Sequence, residues 1–363
     1  MHFLKQIFNK KIIFKKVKKA KILILDDNFS QLNFKNISYH KYNSNNYYIK
    51  EFLISFFLFT KNFFKISFGK IYFNQITASV SPKLAIGHEF NKKIFLFKKL
   101  NPNKIAIGYQ FGFIFKNDIY LYYKKHFNKE KLDYYFVYDD RSEQIMKKFV
   151  DSKYILNGST KVNEKYNIFK KNIKKKYDIA FISRFRSFKY KKKNNFDLFL
   201  VKIIFNYCKK NNLNFVILFA SRRKDKLYRK NFFQEEKRFY DSVINDYKIG
   251  DKDGLYMAKI SKLTICSNSN LGYELLFASE KVVFFSSKFD NHKFFNNNSG
   301  SIWYYGTKIK KIEKIISNIL YMTMPKWLNL IKSLNNNFSK FYKNNKKYKN
   351  NANLKKIISN LIN

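Results

Sequence analysis

Short apolar runs recur along the chain, and longer amphipathic segments separate them. The first five runs are KILIL (21–25), KLAIG (83–87), KIAIGY (104–109), DYYFVY (133–138) and KYILNG (153–158). The next four are YDIAFISRF (177–185), NFVILFAS (214–221), KLTICS (262–267) and KVVFFSS (281–287). Continuous runs of this length are typical of strands that are buried on both faces. Because helix-length segments separate them, the pattern predicts an α/β fold with parallel sheets.

The two series of strands are separated by a charged segment, VNEKYNIFKKNIKKK, which begins at Val162. We expect this segment to link two domains, which places the first domain at 1–172 and the second at 173–325. Residues 326–363 are expected to form a C-terminal helix and a solvated basic tail. Trp327, Ile331 and Leu334 are spaced as on one face of that helix.

The composition fits two domains and at first suggests an anionic partner. The chain has 363 residues, 45% of them hydrophobic, and a formal net charge of +48. Such a charge favours nucleic acid or an anionic membrane. Only seven of the 73 basic residues are arginines, however, and Lys, Asn, Ile, Phe and Tyr are enriched together, as in proteins from AT-rich genomes. Because no nucleic-acid-binding module is recognisable either, we expect no nucleic-acid partner.

Several patterns favour a cytoplasmic protein. Cys208 and Cys266 are too few for a disulfide framework and lack the paired spacing of a zinc site. The longest apolar run, near 52–59, is about half as long as a membrane-spanning helix. The N-terminal segment is interrupted by lysines and lacks the apolar core of a signal peptide. We expect no metal site.

The basic N-terminus suggests attachment to the inner face of the cytoplasmic membrane. Residues 1–25 contain eight lysines and no acidic residue. If the segment is helical, its apolar residues lie near one face, which would suit an anionic lipid surface. The alternative is that this face packs on the first domain and the lysines are simply solvated.

The segment 262–287, KLTICSNSNLGYELLFASEKVVFFSS, carries the clearest chemical signal. A strand is followed by a polar turn, and a helix that contains Gly272 and Glu274 comes next. The turn consists of Ser267, Asn268, Ser269 and Asn270. Backbone N–H groups at a helix N-terminus, together with the helix dipole, favour a phosphate group. Glu274 could then bind a ribose or sugar hydroxyl. The alternative is that the turn only caps the helix and Glu274 is a first-turn acid.

This segment resembles the serine-containing turn, glutamate and Lys-Val strand start of surface carbohydrate biosynthesis proteins. These proteins are similar to GT-B glycosyltransferases, UDP-N-acetylglucosamine 2-epimerases and the glycerophosphotransferases of wall polymers. Three other pieces agree in order with that family: YQFG (109–112), YILNGSTKV (154–162) and IWY (302–304). Phe111 and Leu275 depart from the family pattern, which has Asn and Ala at these positions.

The resemblance implies a GT-B-like fold, in which two Rossmann-like domains with parallel sheets face each other across a cleft. It further implies a nucleotide-sugar donor on the second domain and a glycan or lipid-linked glycan acceptor on the first. The expected protein is a glycosyltransferase of surface polysaccharide or lipopolysaccharide biosynthesis. The nucleotide-sugar is its substrate, and no cofactor is expected. The alternatives are a 2-epimerase-like isomerase and a non-catalytic basic protein bound to a membrane or to nucleic acid.

If the resemblance holds, the arginines after the first strand of the second domain are candidates for binding the donor phosphates. Ser183, Arg184 and Arg186 follow this strand at the edge where ligands of open α/β sheets bind. Guanidinium groups match phosphate oxygens and would offset the charge of a departing nucleotide. The alternative is a solvated charged loop. Arg222 and Arg223 follow the next strand in the same way.

Transfer of a sugar also requires a base for the acceptor hydroxyl. The candidates in the first domain are His88, Glu89 and Asp27, because each follows a predicted strand. Asp26 ends the same strand as Asp27, and the two are the competing choice to His88. The alternative for each of them is a loop or capping residue. Gln110 and Gly112 are expected to line the cleft through amide and backbone contacts.

Two acidic pairs resemble metal-binding or catalytic motifs, but their context favours a structural role. Asp251 and Asp253 form a D-x-D pattern that follows no apolar strand, which predicts an Asp/Gly turn. Asp139 and Asp140 are placed as at a helix N-terminus.

Overall fold

The computed structural model describes residues 11–26, 37–43, 46–62, 65–88, 90–112, 124, 129–164, 173–185, 191–220, 227–250, 252–267, 269–287, 298–334 and 351–362. The strands in these ranges are β1 (Lys11–Ile13), β2 (Ile22–Ile24), β3 (Tyr39–Lys41), β4 (Asn46–Tyr48), β5 (Leu84–His88), β6 (Ile105–Tyr109), β7 (Glu130–Val137), β8 (Val150–Leu156), β9 (Tyr177–Ile182), β10 (Phe215–Leu218), β11 (Lys248–Ile249), β12 (Ser261–Cys266), β13 (Val282–Ser286) and β14 (Trp303–Tyr305). The helices are α1 (Ile49–Lys61), α2 (Phe68–Val80), α3 (Lys93–Leu100), α4 (Asp140–Met146), α5 (Thr160–Glu164), α6 (Lys191–Lys210), α7 (Leu227–Asp241), α8 (Gly254–Lys259), α9 (Asn270–Phe277), α10 (Ile309–Leu320), α11 (Met324–Ser333) and α12 (Ala352–Ile362).

The first of two compact units contains residues 1–111, 123–160 and 351–363. Its main sheet has six strands in the order β3-β2-β5-β6-β7-β8, and every neighbouring pair is parallel. β1 and β4 form a separate parallel pair. Since the central strands are buried on both faces, their side chains form near-continuous apolar runs, as the sequence pattern predicts.

The C-terminal helix α12 completes the core of the first unit. Leu354, Ile358 and Ile362 are buried at helical spacing and pack with Ile22, Ile86 and neighbouring residues of the sheet. Lys83 Nζ donates a hydrogen bond of 2.8 Å to the backbone oxygen of Ile362 at the C-terminal end of this helix. The sequence analysis expected a solvated tail in this part of the chain. The structure differs because the apolar stripe of α12 is buried against the first sheet, while its lysines lie between the stripe positions.

The second unit contains residues 112–122 and 161–350. Its sheet also has six parallel strands, in the order β11-β10-β9-β12-β13-β14. The α/β prediction with two parallel-stranded sheets is therefore confirmed. The predicted packed helix after residue 325 corresponds to α11, where buried Trp327 donates from Nε1 to the backbone oxygen of Ser279 at 3.0 Å.

The division between the units falls between residues 160 and 161, earlier than the expected 172 and 173. Residues 161–164 belong to α5, and Val162 and Asn163 are buried. These buried side chains anchor the start of the charged segment to the second unit, although its composition resembles that of a linker. Residues 165–172 lie outside the described ranges.

The N-terminal segment differs from the expected amphipathic helix in its described part. Residues 11–13 form β1 and residues 22–24 form β2, and residues 1–10 lie outside the described ranges. β1 pairs with β4, and β2 is a central strand of the first sheet. No described helix has both the length and the apolar character needed to cross a membrane.

Candidate functional site

The order of strands in the second sheet creates a point at which a ligand can bind. From β9, the chain adds β10 and β11 on one side of the sheet and then β12, β13 and β14 on the other. The strand order thus changes direction between β9 and β12, and we call this place the reversal point. Ligands of open parallel sheets bind there, outside the carboxyl ends of the strands. The register places Ile182, Leu218 and Cys266, the last residues of three adjacent strands, at the same level. The loops that follow these strands therefore begin at one edge.

Asp197 connects the loops that follow β9 and β12. This buried carboxylate on α6 accepts a hydrogen bond from the backbone N–H of Arg184 at 3.0 Å through Oδ2. Its other oxygen, Oδ1, accepts from the hydroxyl of Ser267. One side chain thus holds the arginine loop and the serine turn beside each other across the reversal point.

Glu236 plays the corresponding part for the loops after β9 and β10. Its Oε1 accepts from the hydroxyl of Ser183 at 2.5 Å and from the backbone N–H of Ala220 at 2.8 Å. Ser183 Oγ in turn accepts from the hydroxyl of Tyr240 at 2.8 Å and from the backbone N–H of Phe185 at 3.1 Å. A hydroxyl can donate once and accept twice, so these bonds use the capacity of Ser183.

Two of the predicted phosphate-binding serines therefore have a structural role in this network. The hydroxyl protons of Ser183 and Ser267 are donated to buried carboxylates, and both residues are buried. Arg184, by contrast, is half-buried at the edge of the sheet. Its charge acts on the thiol of Cys266 at the end of β12, although burial dominates and raises the pKa of that thiol to about 12.

The helix α9 begins at the same edge, directly after the serine turn. Ser269 is its N-cap, with extended backbone angles of −94° and 138°, and its side chain makes no capping hydrogen bond. Ser269 is half-buried and Asn270 is exposed. The helix N-terminus directs its first N–H groups and the positive end of its dipole toward this edge.

Gly272 allows α9 to pack closely on the ends of β12 and β13. A Cβ at this position would overlap Cys266 Sγ and would lie 3.1 Å from the ring of Phe284. The glycine is thus required by packing in the first turn of the helix. The same helix also contacts Gly112, where a Cβ would lie 2.6 Å from Nδ2 of Asn270, and both residues belong to the second unit.

We expect Gly272→Ala to destabilise the protein by about 1–3 kcal/mol, because the added methyl group overpacks this contact. The double variant Gly272→Ala/Cys266→Ala should recover much of the loss, since it removes the sulfur atom with which the methyl overlaps. Thermal denaturation of both single variants and the double variant measures this coupling. Strictly additive effects would mean that the Gly272–Cys266 contact is not what requires the glycine.

Glu274 lies inside the second unit. Its side chain is buried, and Oε1 lies 3.5 Å from Nζ of Lys161. A sugar hydroxyl that bonds to this carboxylate would therefore also lie beside Lys161. The sequence alone did not indicate this ion pair. Asn268 and Arg186, the remaining predicted donor-binding residues, lie outside the described ranges, as do Arg222 and Arg223.

The first sheet has its own reversal point, between β2 and β5, and three side chains meet there. Asp26 follows β2, and its Oδ1 accepts from the hydroxyl of Tyr109 at 2.5 Å. Its Oδ2 accepts from the backbone N–H of His88 at 3.2 Å. Because β5 and β6 pair His88 with Tyr109, both residues lie at the carboxyl edge of this sheet. Of the predicted base candidates, Asp27 and Glu89 lie outside the described ranges.

The imidazole of His88 is held in a defined tautomer. Its Nδ1 accepts a hydrogen bond from the backbone N–H of Phe90 at 3.1 Å. The neutral ring therefore carries its proton on Nε2, where it presents a donor. The ring of Phe111 packs against it, with centroids 4.9 Å apart. His88 stays a candidate catalytic residue, but in this tautomer it is suited to donate a hydrogen bond rather than to accept a proton at Nε2.

Gln110 does not line an open surface. It is fully buried, and its Oε1 accepts from the backbone N–H of Tyr138 at 2.8 Å. Its own N–H donates to the backbone oxygen of Phe136 at 2.8 Å. Gln110 therefore joins the ends of β6 and β7, and a ligand contact of its amide stays a prediction.

One residue of each acidic pair caps a helix, and Asp251 lies outside the described ranges. Asp253 is the N-cap of α8 and accepts from the backbone N–H of Leu255 at 3.1 Å. Asp139 is the N-cap of α4 and accepts from the backbone N–H of Ser142 at 2.8 Å, and burial raises its pKa. The predicted helix N-terminus at Asp139 is thus found, whereas Asp253 caps a helix instead of forming the expected Asp/Gly turn. Within the described ranges, no group of three or more His, Cys, Asp or Glu side chains could hold a metal ion.

Comparison with known proteins identifies the family. A family model described as "putative O-antigen biosynthesis protein" matches residues 109–357, more than half of the chain. The chain belongs to this O-antigen biosynthesis family. The sequence-based resemblance to surface carbohydrate biosynthesis proteins is thereby confirmed. No curated protein matches the sequence.

Solved structures similar to this O-antigen family protein show its fold. The UDP-GlcNAc 2-epimerase of Methanocaldococcus jannaschii, in complex with UDP-GlcNAc and UDP, has a TM-score of 0.52 at 13% identity, over 84% of this chain and 94% of its own. A putative UDP-N-acetylglucosamine 2-epimerase from Listeria monocytogenes has a TM-score of 0.53 at 10% identity, over 92% and 95%. An α,α-trehalose-phosphate synthase (UDP-forming) from Burkholderia vietnamiensis has a TM-score of 0.51 at 8% identity, over 94% and 97%. These are GT-B fold proteins, so the fold prediction is confirmed.

Proposed function

We propose that this O-antigen family protein is a glycosyltransferase that binds a nucleotide-sugar through its diphosphate at the carboxyl edge of the second sheet. The observation that carries this proposal is the bridge formed by Asp197. It holds the Arg184 loop and the turn before α9 together at the reversal point between β9 and β12. An arginine and a helix N-terminus at one sheet edge form a site suited to a phosphate group.

Transfer of the sugar requires groups that offset the charge of the leaving nucleotide. When the bond between the sugar and the diphosphate breaks, negative charge develops on the leaving nucleoside diphosphate. The guanidinium of Arg184 and the N–H groups that open α9 offset that charge if the diphosphate lies between them. Asp197, Glu236 and Ser183 do not contact the donor in this scheme. They are positioning residues that hold the two loops at a defined separation.

The acceptor hydroxyl needs a base, and we place it at the edge of the first sheet. Asp26 is a carboxylate, whereas Nδ1 of His88 already accepts a backbone N–H and its Nε2 carries the proton. Asp26 therefore suits proton acceptance, and His88 suits donation of a hydrogen bond to the acceptor. Tyr109, hydrogen-bonded to Oδ1, holds the carboxylate of Asp26 in place.

The similar structures support a nucleotide-sugar as the donor class. One of them holds UDP-GlcNAc and UDP, and another belongs to a UDP-forming synthase. Membership in the O-antigen family supports a glycan or lipid-linked glycan as the acceptor. The following binding experiment identifies the nucleobase of the donor.

Titration calorimetry with UDP, GDP, ADP, dTDP and CMP tests the donor site. At least one nucleotide should bind the wild-type protein, and Arg184→Ala should weaken its binding by about tenfold or more, since a hydrogen bond to a charged group contributes about 1.5–3 kcal/mol. Ser269→Trp should abolish binding by filling the turn. The matched control is Arg238→Ala, which removes an exposed arginine on α7.

Binding of none of these nucleotides would contradict the proposal, as would equal affinity in Arg184→Ala and Arg238→Ala. The donor site would also serve an epimerase, so the reaction needs its own readout. Transfer releases the nucleoside diphosphate only when an acceptor is added, whereas epimerisation changes the sugar without an acceptor. Proton NMR of the nucleotide-sugar incubated with the protein, with and without a lipid-linked glycan extract, distinguishes transfer from epimerisation.

A further inference from the structure

The helix α1 in the first unit buries polar side chains and exposes large apolar ones. The side chains of Glu51, Ser55 and Phe59, spaced four residues apart, face the interior of the unit. On the opposite side, Leu53 and Phe57 are 58% and 65% exposed. A surface helix of a soluble domain normally buries its apolar stripe and exposes the polar one. The exposed apolar stripe of α1 therefore requires an explanation.

Neighbouring segments extend this apolar surface. β1 pairs with β4, which leads directly into α1, and Phe14 directly after β1 is 80% exposed. We define the α1 face by the exposed apolar residues of this part of the first unit: Ile12, Phe14, Leu53, Ile54, Phe56, Phe57 and Ile66. Exposure of this many large apolar side chains in neighbouring segments is typical of an interaction surface.

The charge around the α1 face has a single sign. Exposed lysines occur along the same segments, at Lys11, Lys15, Lys16, Lys18, Lys19, Lys50, Lys61, Lys65 and Lys70. The described acidic residues between 11 and 70 are Asp26 and Glu51. Asp26 is bonded to Tyr109 and His88, and Glu51 is buried and accepts from Ser79 Oγ at 2.8 Å. Among the described residues between 11 and 70, the exposed charges are therefore positive.

We propose that the α1 face docks on an anionic lipid bilayer, with Leu53 and Phe57 inserted among the acyl chains near the surface. An interfacial helix combines large apolar side chains on one face with lysines around it, and α1 has this arrangement with Lys50 and Lys61 at its two ends. A second copy of this face would bring lysines against lysines. A protein partner would have to supply all of the acidic residues that balance them. An anionic bilayer supplies negative charge and an apolar interior together.

This inference assigns membrane attachment to a folded surface of the first unit, and it does not depend on the proposed donor site. The sequence analysis placed such attachment in an N-terminal helix. In the described part of that segment, residues 11–19 contribute Phe14 and five lysines beside α1, and they do so without forming a helix. The apolar residues that would insert lie mainly on α1.

Sedimentation with vesicles tests the proposal on the full chain. The wild-type protein should pellet with phosphatidylglycerol-containing vesicles, remain in solution with pure phosphatidylcholine, and be released by high salt. Leu53→Ser/Phe57→Ser should reduce the bound fraction at least tenfold without a change in net charge. Tyr321→Ser is the matched control, because it removes a similarly exposed side chain from the second unit. Both sets of side chains are exposed, so the fold should be retained.

A second measurement reports insertion directly. The emission that Phe57→Trp adds to that of the native Trp303 and Trp327 should shift to shorter wavelength with anionic vesicles and stay unchanged with neutral ones. A wild-type protein that stays in the supernatant with all vesicles overturns the proposal, as does equal pelleting of wild type and Leu53→Ser/Phe57→Ser. A dimer in light scattering that Leu53→Ser/Phe57→Ser dissociates, without vesicle binding, would instead make the α1 face a contact between copies of this chain.

Discussion

Replacing Ile358 by alanine is expected to lower the free energy of unfolding by about 2–5 kcal/mol, the usual cost of truncating a buried aliphatic side chain. Ile358 is fully buried in the middle of α12, between Leu354 and Ile362, and packs into the core of the first sheet. The loss combines the transfer free energy of the removed methylene and methyl groups with the cavity that they leave. Denaturant unfolding, followed by far-ultraviolet circular dichroism, measures it.

The matched control is Lys356→Ala, an exposed position on the same helix. It should change the free energy of unfolding by less than about 0.5 kcal/mol, as surface substitutions usually do. A protein that ends at residue 350 should lose the cooperative unfolding of the first unit, because the apolar residues of its sheet that face α12 would be exposed to water. If Ile358→Ala were as stable as Lys356→Ala, α12 would not be part of this core.

Asp197→Ala is expected to weaken nucleoside diphosphate binding at least tenfold, although this side chain does not contact the ligand. The substitution leaves the Arg184 N–H and the Ser267 hydroxyl without their acceptor, at a cost of about 1–3 kcal/mol for each buried group. The two loops then lose their fixed separation. Titration calorimetry measures the affinity, and thermal denaturation measures the accompanying loss of stability.

Asp197→Asn is the control that separates geometry from charge. Its amide oxygen can still accept from Arg184 N–H, and its NH2 group can donate to Ser267 Oγ. We therefore expect this variant to retain most of the affinity, since loss of a negative charge does not oppose phosphate binding. Equal weakening in both variants would mean that the charge of Asp197, rather than the bridge, supports the site. Wild-type affinity in Asp197→Ala would remove Asp197 from the donor site altogether.

The family resemblance rests on short segments that the structure places at strand ends. YQFG includes the last residue of β6, and YILNGSTKV spans the end of β8 and the start of α5. Gly158 in that second segment has a φ of 63°, which favours glycine because a Cβ is disfavoured there. Such positions can be recognised from sequence because backbone geometry restricts the residue type locally.

The buried carboxylates could not be recognised in this way. Asp197 and Ser267 are separated by 70 residues, and Ser183 and Glu236 by 53. Neither Asp197 nor Glu236 belongs to a recognisable local motif. Their partners become neighbours only after three parallel strands align their carboxyl ends. The only local signal is that Asp197 is the single acid of α6, whereas Glu236 is one of three acids of α7.

The sequence alone determined the α/β class and nine strands, eight of which are central. A strand that is buried on both faces needs a continuous apolar run whatever surrounds it. The strands it did not reveal are short, and β3, β11 and β14 lie at sheet edges, where one side lacks a neighbour and polar residues are tolerated. Only the tertiary structure decided that α12 returns to the first unit, that Ser183 and Ser267 hold loops, and that α1 exposes its apolar side. Each of these depends on which surfaces meet, and contacts between residues far apart in sequence leave no local pattern.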